Sequence, residues 1–483
     1  MNGTKILEQI DILKSEGTHD IEILGIATDS RVVAPGFVFI AVVGLTVDGH
    51  DYISRAIENG AKMIVCESMP HQLVEGVSYA KVAHSNVAAG IIAHNFYGKP
   101  TERTRLIGIT GTNGKTTIAT IMYRLMRKLG LKAGLISTID IIINDESTPA
   151  SVTTPNQVAL NQILAKMVDA DCDFVFMEVS SHAVVQERIA GLKFTGGIFT
   201  NLTHDHLDYH GTFAAYRDAK KQFFDKLGKD AFAISNADDS NGKYMLQNCK
   251  ADKRLYSLRS MVDYKGRILS CDFAGLEMDV DGSTFYSRLI GRFNALNLMA
   301  AYGMLDALGF PKEEILLSLS SVNPPEGRFE FVRRADGAVA IVDYAHTPDA
   351  VKNILKSVGD IKNRNSNLIT VIGCGGDRDK KKRPEMAAMA VHLSNMVILT
   401  SDNPRSEDPD SIIADMEKGV AFEDEGRVLT ITDRKQAIKT AVKLAKANDV
   451  IVIAGKGHEK YQDIKGEKHP FDDKAIVKAF FER

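Results

Sequence analysis

Lys115 follows a glycine and precedes two threonines in the run Thr110-Gly111-Thr112-Asn113-Gly114-Lys115-Thr116-Thr117. Those residue types at that spacing suit the binding of nucleotide phosphates. Glycines let backbone N–H groups approach phosphate oxygens, and a helix N-terminus adds a positive dipole. Lys115 can reach the terminal phosphates, and the Thr116 hydroxyl can ligate Mg2+. The usual eight-residue form has a glycine where Ile109 stands, so this loop is a shorter variant. A purely structural glycine turn would explain Gly111 and Gly114 but not the lysine and paired threonines.

Two more groups could serve a nucleotide-bound cation. Glu178 ends the apolar run FVFM, where it could reach the phosphate loop and offer oxygen to Mg2+; a salt-bridging glutamate is the plainer alternative. Residues 201–210 (NLTHDHLDYH) concentrate His204, His206 and His210 with Asp205 and Asp208, which first suggests zinc. No cysteine joins them, the histidines sit in a loop after a strand, and the phosphate loop upstream favours Mg2+. Taken alone, this cluster reads equally well as a solvated loop.

The elements that must position these groups can be read from hydrophobic spacing. A strand at 106–110 leads into the phosphate loop, and a helix follows whose Ile118, Ile121, Met122, Leu125, Met126 and Leu129 repeat at three and four. Buried strands are expected at 174–179, 197–201 and 231–235, so strands alternate with helices in a mostly parallel sheet covered on both faces. Before this unit, 37–43 and 62–66 read as strands and 52–59 as a helix, forming a small α/β unit that ends near Gly98-Lys99-Pro100. After it, the paired prolines in Asn323-Pro324-Pro325-Glu326-Gly327 mark a connection.

Beyond that connection lie four apolar runs, at 340–342, 368–372, 396–400 and 450–454. They lead into DYAHTP, GCGGDRDK, SDNPRSEDP and GKGHEKYQ. In an open parallel sheet the carboxyl ends of the strands line the ligand crevice, so these loops should converge on one site. The expected fold class is therefore α/β in three domains. These are a small N-terminal α/β domain at 1–98, a central P-loop mononucleotide-binding α/β domain at 99–329, and a C-terminal Rossmann-like α/β domain at 330–483.

Size and composition agree. The 483 residues, 44% hydrophobic and 25% charged, suit about three globular domains and exclude a disordered or collagenous chain. Lys and Arg total 59 against 62 Asp and Glu, a net charge of -3, which offers no general attraction to nucleic acid or an anionic membrane. Five widely spaced cysteines fit free thiols in a reducing compartment. The apolar run 37–45 is shorter than the ~18 residues of a membrane span, and the N-terminus lacks a signal-peptide pattern. A cytoplasmic protein with no nucleic-acid partner and no stable membrane insertion is expected, as a monomer.

GTNGKTT, EVSSHAVVQER at 178–188, NLTHDHLDYHGT at 201–212 with YRDAK at 216–220, GRFNALN at 291–297 and DYAHTPD at 343–349 together resemble the Mur ligase family. That resemblance covers nearly the whole chain in order. It implies a UDP-substrate domain, a central ATPase domain and a Rossmann-like domain. The activity it implies is ATP-dependent amide ligation in peptidoglycan precursor synthesis, adding the third stem-peptide residue to UDP-MurNAc-L-Ala-D-Glu. ATP and Mg2+ are the implied cofactors. Lys220 would carry a CO2-derived carbamate that offers anionic oxygens to Mg2+ where an ammonium would repel it. Glu178, His206 and Thr116 would complete the metal shell. Asn294, Asn297, Arg328, Asp343 and His346 match positions near the adenine, ribose or phosphates.

For the UDP-substrate, the resemblance assigns Ser30 and the loop Leu45-Thr46-Val47 to uridine, and Thr153, Thr154, Ser180, Gln186 and Arg188 to the muramoyl dipeptide. For the incoming amino acid it assigns Asp402-Asn403-Pro404-Arg405, Arg378, Gly455 and Glu459. The Asp-Asn-Pro-Arg form implies meso-diaminopimelate, whose far carboxylate a guanidinium can meet with two parallel hydrogen bonds. The amino acid and ATP would lie on different domains, so closure about the 324–330 connection is expected. A lysine-adding or folylpolyglutamate ligase, or a nucleotide-driven switch, are the competing readings.

Overall fold

The computed structural model describes residues 1–44 and 47–482. Leu45 and Thr46, assigned above to uridine, lie outside the described residues. Among the described residues three large sheets follow one another along the chain, and a two-stranded ribbon, Tyr461–Ile464 with Glu467–Pro470, comes after the third. The first has five strands in the order Ile12–Glu16, Ser78–Val82, Met63–Cys66, Phe37–Ile40 and Gly25–Ala27, parallel except for the antiparallel first pair. Helix Ser85–Phe96 buries Ala88, Ala89, Ile92 and Ala93 against it.

The second sheet has eleven strands. At its centre Asp252–Ser257, Phe232–Asn236, Gly196–Phe199, Arg105–Thr110, Phe174–Glu178 and Ala133–Ile136 run parallel. Alternate side chains of a strand face opposite layers. Ile107 and Ile109 thus join one core with Ile118, Ile121, Met122, Leu125 and Met126 of helix Lys115–Lys128, while Leu106 joins another with Leu160, Leu164, Phe223 and Phe224. Both faces are covered, and the five tightest positions of the predicted helical stripe are buried.

The flanks of this sheet differ from the parallel expectation. On one side Asp140–Ile143 and Glu146–Pro149 form a hairpin against Ala133–Ile136. On the other, Tyr264–Asp272, Gly275–Val280 and Ser283–Ser287 form an antiparallel meander. The last turn of the meander is Asp281-Gly282, with both φ positive, the geometry that a two-residue hairpin requires.

The third sheet orders Glu330–Arg333, Val339–Asp343, Val450–Ala454, Leu368–Cys374, Met396–Ser401 and Val428–Thr430, with only the first strand antiparallel. Its four central strands end on one edge, so the four polar loops emerge side by side. The connection before this sheet is tied down at several points. Arg124 Nη1 donates to Asn323 O at 2.7 Å, Phe329 N donates to Asp343 Oδ2 at 2.7 Å, and Tyr344 N donates to Gly327 O at 3.0 Å. Among the described residues no helix is long and apolar enough to cross a membrane, and all five cysteines are free.

Candidate active site

Strand Arg105–Thr110 delivers the phosphate loop to the carboxyl edge of the central sheet, and helix Lys115–Lys128 leaves it. No side chain caps that helix start, so its first N–H groups are available to an anion. Gly114 has φ 89°, and a Cβ there would meet Asn297 Oδ1 at 2.5 Å; both backbone and space demand glycine. The loop is braced by the 200–203 segment: Thr112 N donates to Asn201 O at 2.8 Å and Asn113 N to Asn201 Oδ1 at 2.9 Å. Lys115 Nζ donates to the carbonyls of Gly111 and Thr112 at 3.0 and 2.8 Å. Burial lowers its proton affinity, against the attraction of Glu178 and Asp205.

Glu178 is buried at the end of its strand and accepts from Thr116 Oγ1 at 2.8 Å and Thr138 N at 2.7 Å. Asp205 is also buried; desolvation would raise its carboxyl, but His206, Lys382 and His346 outweigh that and hold it well below the usual range. His206 is pushed down to about 3, first by desolvation and then by His182, Lys115 and Lys220 against the pull of Asp205, although 45% of its side chain stays open. It is therefore a neutral imidazole. Lys220 is 1% exposed; its Nζ donates to Gly111 O at 2.9 Å and lies 4.6 Å over the Tyr216 ring. Burial, with Lys115 nearby, lowers its proton affinity far below that of an ordinary lysine. Among the described residues no three His, Cys, Asp or Glu side chains are grouped so as to hold a metal ion by themselves. Hydroxyl and carboxylate oxygens with one neutral imidazole suit a hard cation that keeps most of its shell for water and phosphate.

Facing this wall across a cleft of about 970 Å3 are the four loops of the third sheet. Thr112, Asn113, Gly114, Lys115, Thr116, Thr117, Glu178, Ser180, His206, Asn294, Asn297 and Arg328 line one side. Asp343, His346, Arg378, Asp402, Asn403, Arg405, Gly455 and Glu459 line the other, and Thr153 also borders the cleft. Arg328 Nη2 donates to Thr116 Oγ1 at 3.3 Å and its plane lies 4.6 Å over Tyr344, while its Nε is buried without a partner. Arg405 has a left-handed backbone, φ 51°, held by Asp463 O at 3.0 Å and Lys465 N at 2.7 Å. Its Nη1 donates to Gly376 O at 2.7 Å.

Other expected residues stand off this cleft. Gly111 and Lys220 lie behind the phosphate loop, and Pro404 is not among the lining residues. Thr154 Oγ1 donates to Glu178 O at 2.8 Å; Arg188 binds Thr154 O at 2.6 Å and Gln186 Oε1 at 2.6 Å, forming a patch beside Ser180. Gln157 Nε2 joins Gln186 O to Asn86 O, and Asn86 Nδ2 donates to Val43 O at 3.0 Å, so this patch runs toward Val43 of the first domain. Ser30 and Val47 belong to the first domain, outside the cleft lining.

The sequence pattern of the Mur ligase middle domain matches residues 109–305, that of the Mur ligase glutamate ligase domain 327–457, and that of the Mur ligase family catalytic domain 22–97. A UDP-N-acetylmuramoyl-L-alanyl-D-glutamate--2,6-diaminopimelate ligase of Phocaeicola vulgatus is 52% identical over 481 residues, spanning 100% of this chain and 99% of the relative. The chain belongs to the Mur ligase family. A ligase of the same description from Geobacillus kaustophilus is 44% identical, over 95% and 94% of the two chains. A solved structure of such a 2,6-diaminopimelate ligase superimposes with TM-score 0.71 at 32% identity, over 100% and 99% of the chains. The MurF ligase of Thermotoga maritima in complex with ADP shares the fold, with TM-score 0.62 at 18% identity over 95% and 97%.

Lys382, Asp349 and His182 of this Mur ligase carry no assignment from sequence, and each contacts a residue that carries one. Asp205, in the histidine loop, accepts from Lys382 of the third domain, and Asn113 Nδ2 donates to Asp349 Oδ2 at 3.2 Å across the same gap. Both bonds tie the phosphate-loop wall to the opposite wall. His182 packs on His206, Tyr209 and His210, with ring centroids 4.9, 4.1 and 5.6 Å away. The repeated histidines were a signal, but a motif does not reveal which rings touch.

Proposed function

We propose that this chain is the ATP-dependent ligase that joins meso-diaminopimelate to the D-glutamate γ-carboxylate of UDP-MurNAc-L-Ala-D-Glu, a step in peptidoglycan precursor synthesis. Its full-length identity to ligases of that description supports the reading. The observation that carries it is that Lys115 of the phosphate loop and Arg405 of the Asp-Asn-Pro-Arg segment line one cleft. Residues 1–98 take the UDP end, 99–329 the ATP and 330–483 the amino acid.

The γ-carboxylate attacks the γ-phosphate of ATP, giving an acyl phosphate and ADP; the amine then attacks the acyl carbon and phosphate leaves. Positioning and charge are what the chain must supply. The uncapped helix start and Lys115 bind the phosphates, Asn297 lies against Gly114 and leaves no room for a side chain there, and Arg328 adds positive charge beside Thr116. Thr116, Glu178, His206 and a carbamate on Lys220 would hold Mg2+, which when bound offsets negative charge on the phosphates. The carbamate is supported by the burial of Lys220 beside Lys115, because only a neutral amine condenses with CO2. Arg405 receives the far carboxylate of the amino acid, and Glu459 its far ammonium. The reading places the chain in the cytoplasm as a monomer, supported by the free thiols and by a cleft complete within one chain.

Phosphate release with ATP, Mg2+ and UDP-MurNAc-L-Ala-D-Glu tests this directly. Release is expected when meso-diaminopimelate is added and not with lysine. Release with lysine alone would make it a lysine-adding ligase, and release with neither amino acid nor UDP-substrate would make it a nucleotide-driven switch.

A further inference from the structure

Behind the amino-acid wall sits a lysine with no role in the account above. Lys456 follows strand Val450–Ala454 by two residues, and its side chain is wholly buried. Burying an ammonium is costly unless it is paired and hydrogen-bonded. Here Nζ donates to Asn403 Oδ1 at 2.8 Å and to Glu459 Oε2 at 3.3 Å. Asn403 closes the triangle: its Nδ2 donates to the same Glu459 oxygen at 2.7 Å, while its Oδ1 also accepts from Asp463 N at 3.0 Å.

Two consequences follow. The orientation of the Asn403 amide is dictated, because its oxygen must face an ammonium and an N–H. Both bonds to Glu459 fall on Oε2, and among the described residues no hydrogen bond reaches Oε1, which is left to a ligand. Glu459 and Asn403 border the cleft with Arg405, whereas Lys456 lies one layer behind them. Another carboxylate of this wall, Asp402, lies 4.0 Å from the buried Arg434, which is paired with Asp473 at 2.8 Å. Lys456 thus offsets Glu459 as Arg434 offsets Asp473 and faces Asp402, while Arg405 and Arg378 border the cleft beside them.

We infer that Lys456 is a specificity-determining residue, acting through Glu459 and Asn403 to match this end of the cleft to a zwitterion. The inference rests on the proposed function and deepens it. The far end of diaminopimelate is an ammonium beside a carboxylate and has no net charge; the far end of lysine is an ammonium alone. A Glu459 offset by Lys456 and set beside the Arg405 guanidinium suits the first. Without the Lys456 charge the wall is one unit more negative, which favours the second, and Glu459 loses one of its two donors. Discrimination is a difference of affinities, so a charge that never touches the ligand can set it.

The test is phosphate release by the full chain with ATP, Mg2+ and UDP-MurNAc-L-Ala-D-Glu, titrating meso-diaminopimelate or lysine against wild type, Lys456→Met and Lys456→Arg. For Lys456→Met, a rise of about tenfold in the diaminopimelate KM is expected, with the ATP KM held within about twofold. The kcat/KM ratio of lysine to diaminopimelate should rise about tenfold, whereas Lys456→Arg, which keeps the charge, should hold the ratio within about threefold of wild type. An unchanged ratio in Lys456→Met overturns the inference, as does a ratio in Lys456→Arg that moves as far as that expected of Met. If Lys456→Met fails to fold, Lys456→Gln, which also removes the charge, takes its place with the same expected rise and the same overturning result. Wild type that releases no phosphate with diaminopimelate would overturn the proposed function instead.

Discussion

The two walls of the cleft are built by different physics. The phosphate wall is mainly backbone: a left-handed glycine, an uncapped helix start and a lysine held by carbonyls of its own loop. The amino-acid wall is mainly side chains, held by buried charges brought in from separate elements. Arg434 donates to both oxygens of Asp473 at 2.9 and 2.8 Å and to Ala454 O at 3.0 Å. Arg383 does the same for Glu407, at 3.0 and 2.7 Å, and reaches Asp415 at 2.9 Å. Phosphate is the same in every nucleotide, so a fixed backbone cradle suffices. An amino acid must be told from its near relatives, and that takes directed charges on a rigid support.

If this contrast is right, substitutions on the two walls should fail differently. Lys115→Ala should lower kcat by about 10^3-fold while leaving amino-acid binding intact, measured as phosphate release beside calorimetric titration of meso-diaminopimelate. Arg434→Met strands the buried Asp473 and should cost about 3–5 kcal/mol of stability, read from urea unfolding. An equal loss in Lys115→Ala would erase the distinction between the walls. Arg405→Ala should reduce kcat/KM for diaminopimelate by about 10^2-fold, with the ATP KM unchanged; full use of diaminopimelate by that variant would refute the assigned role of the guanidinium.

The smallest effect concerns acid. Glu407 is lowered to about 2, chiefly by its hydrogen bonds to Arg383, against desolvation. Its folded pKa lies below the ordinary 4.5, so its contribution is present above that value and is lost as pH falls from about 4.5 to about 2. Glu407→Gln should flatten the pH dependence of unfolding in that window, seen in urea midpoints. A variant with the wild-type slope would show that the Arg383 bracket does not couple to protonation.

The two walls also differed in how far they could be read from the chain. GTNGKTT is legible because its glycines and lysine stand at fixed local spacing between a strand and a helix, and the helical stripe from Ile118 follows from periodicity. The meander at 264–287 carries a hairpin signal in Asp281-Gly282 but no continuous apolar run, because its strands mix buried with exposed residues. Partners across the cleft were invisible for another reason: Asn113 and Asp349 are separated by 236 positions, Asp205 and Lys382 by 177. A charge in a sequence does not name its counter-charge.

What the amino-acid order determined by itself was local: where strands lead into polar loops, where backbone must turn left-handed, and which motifs carry phosphate chemistry. Only the tertiary structure decided that the ends of two sheets face one cleft, that Lys220 is buried beside Lys115, and that Lys456 sits behind Glu459. Local geometry is set by neighbours along the chain, whereas desolvation and charge pairing depend on distances that exist only once the chain has folded.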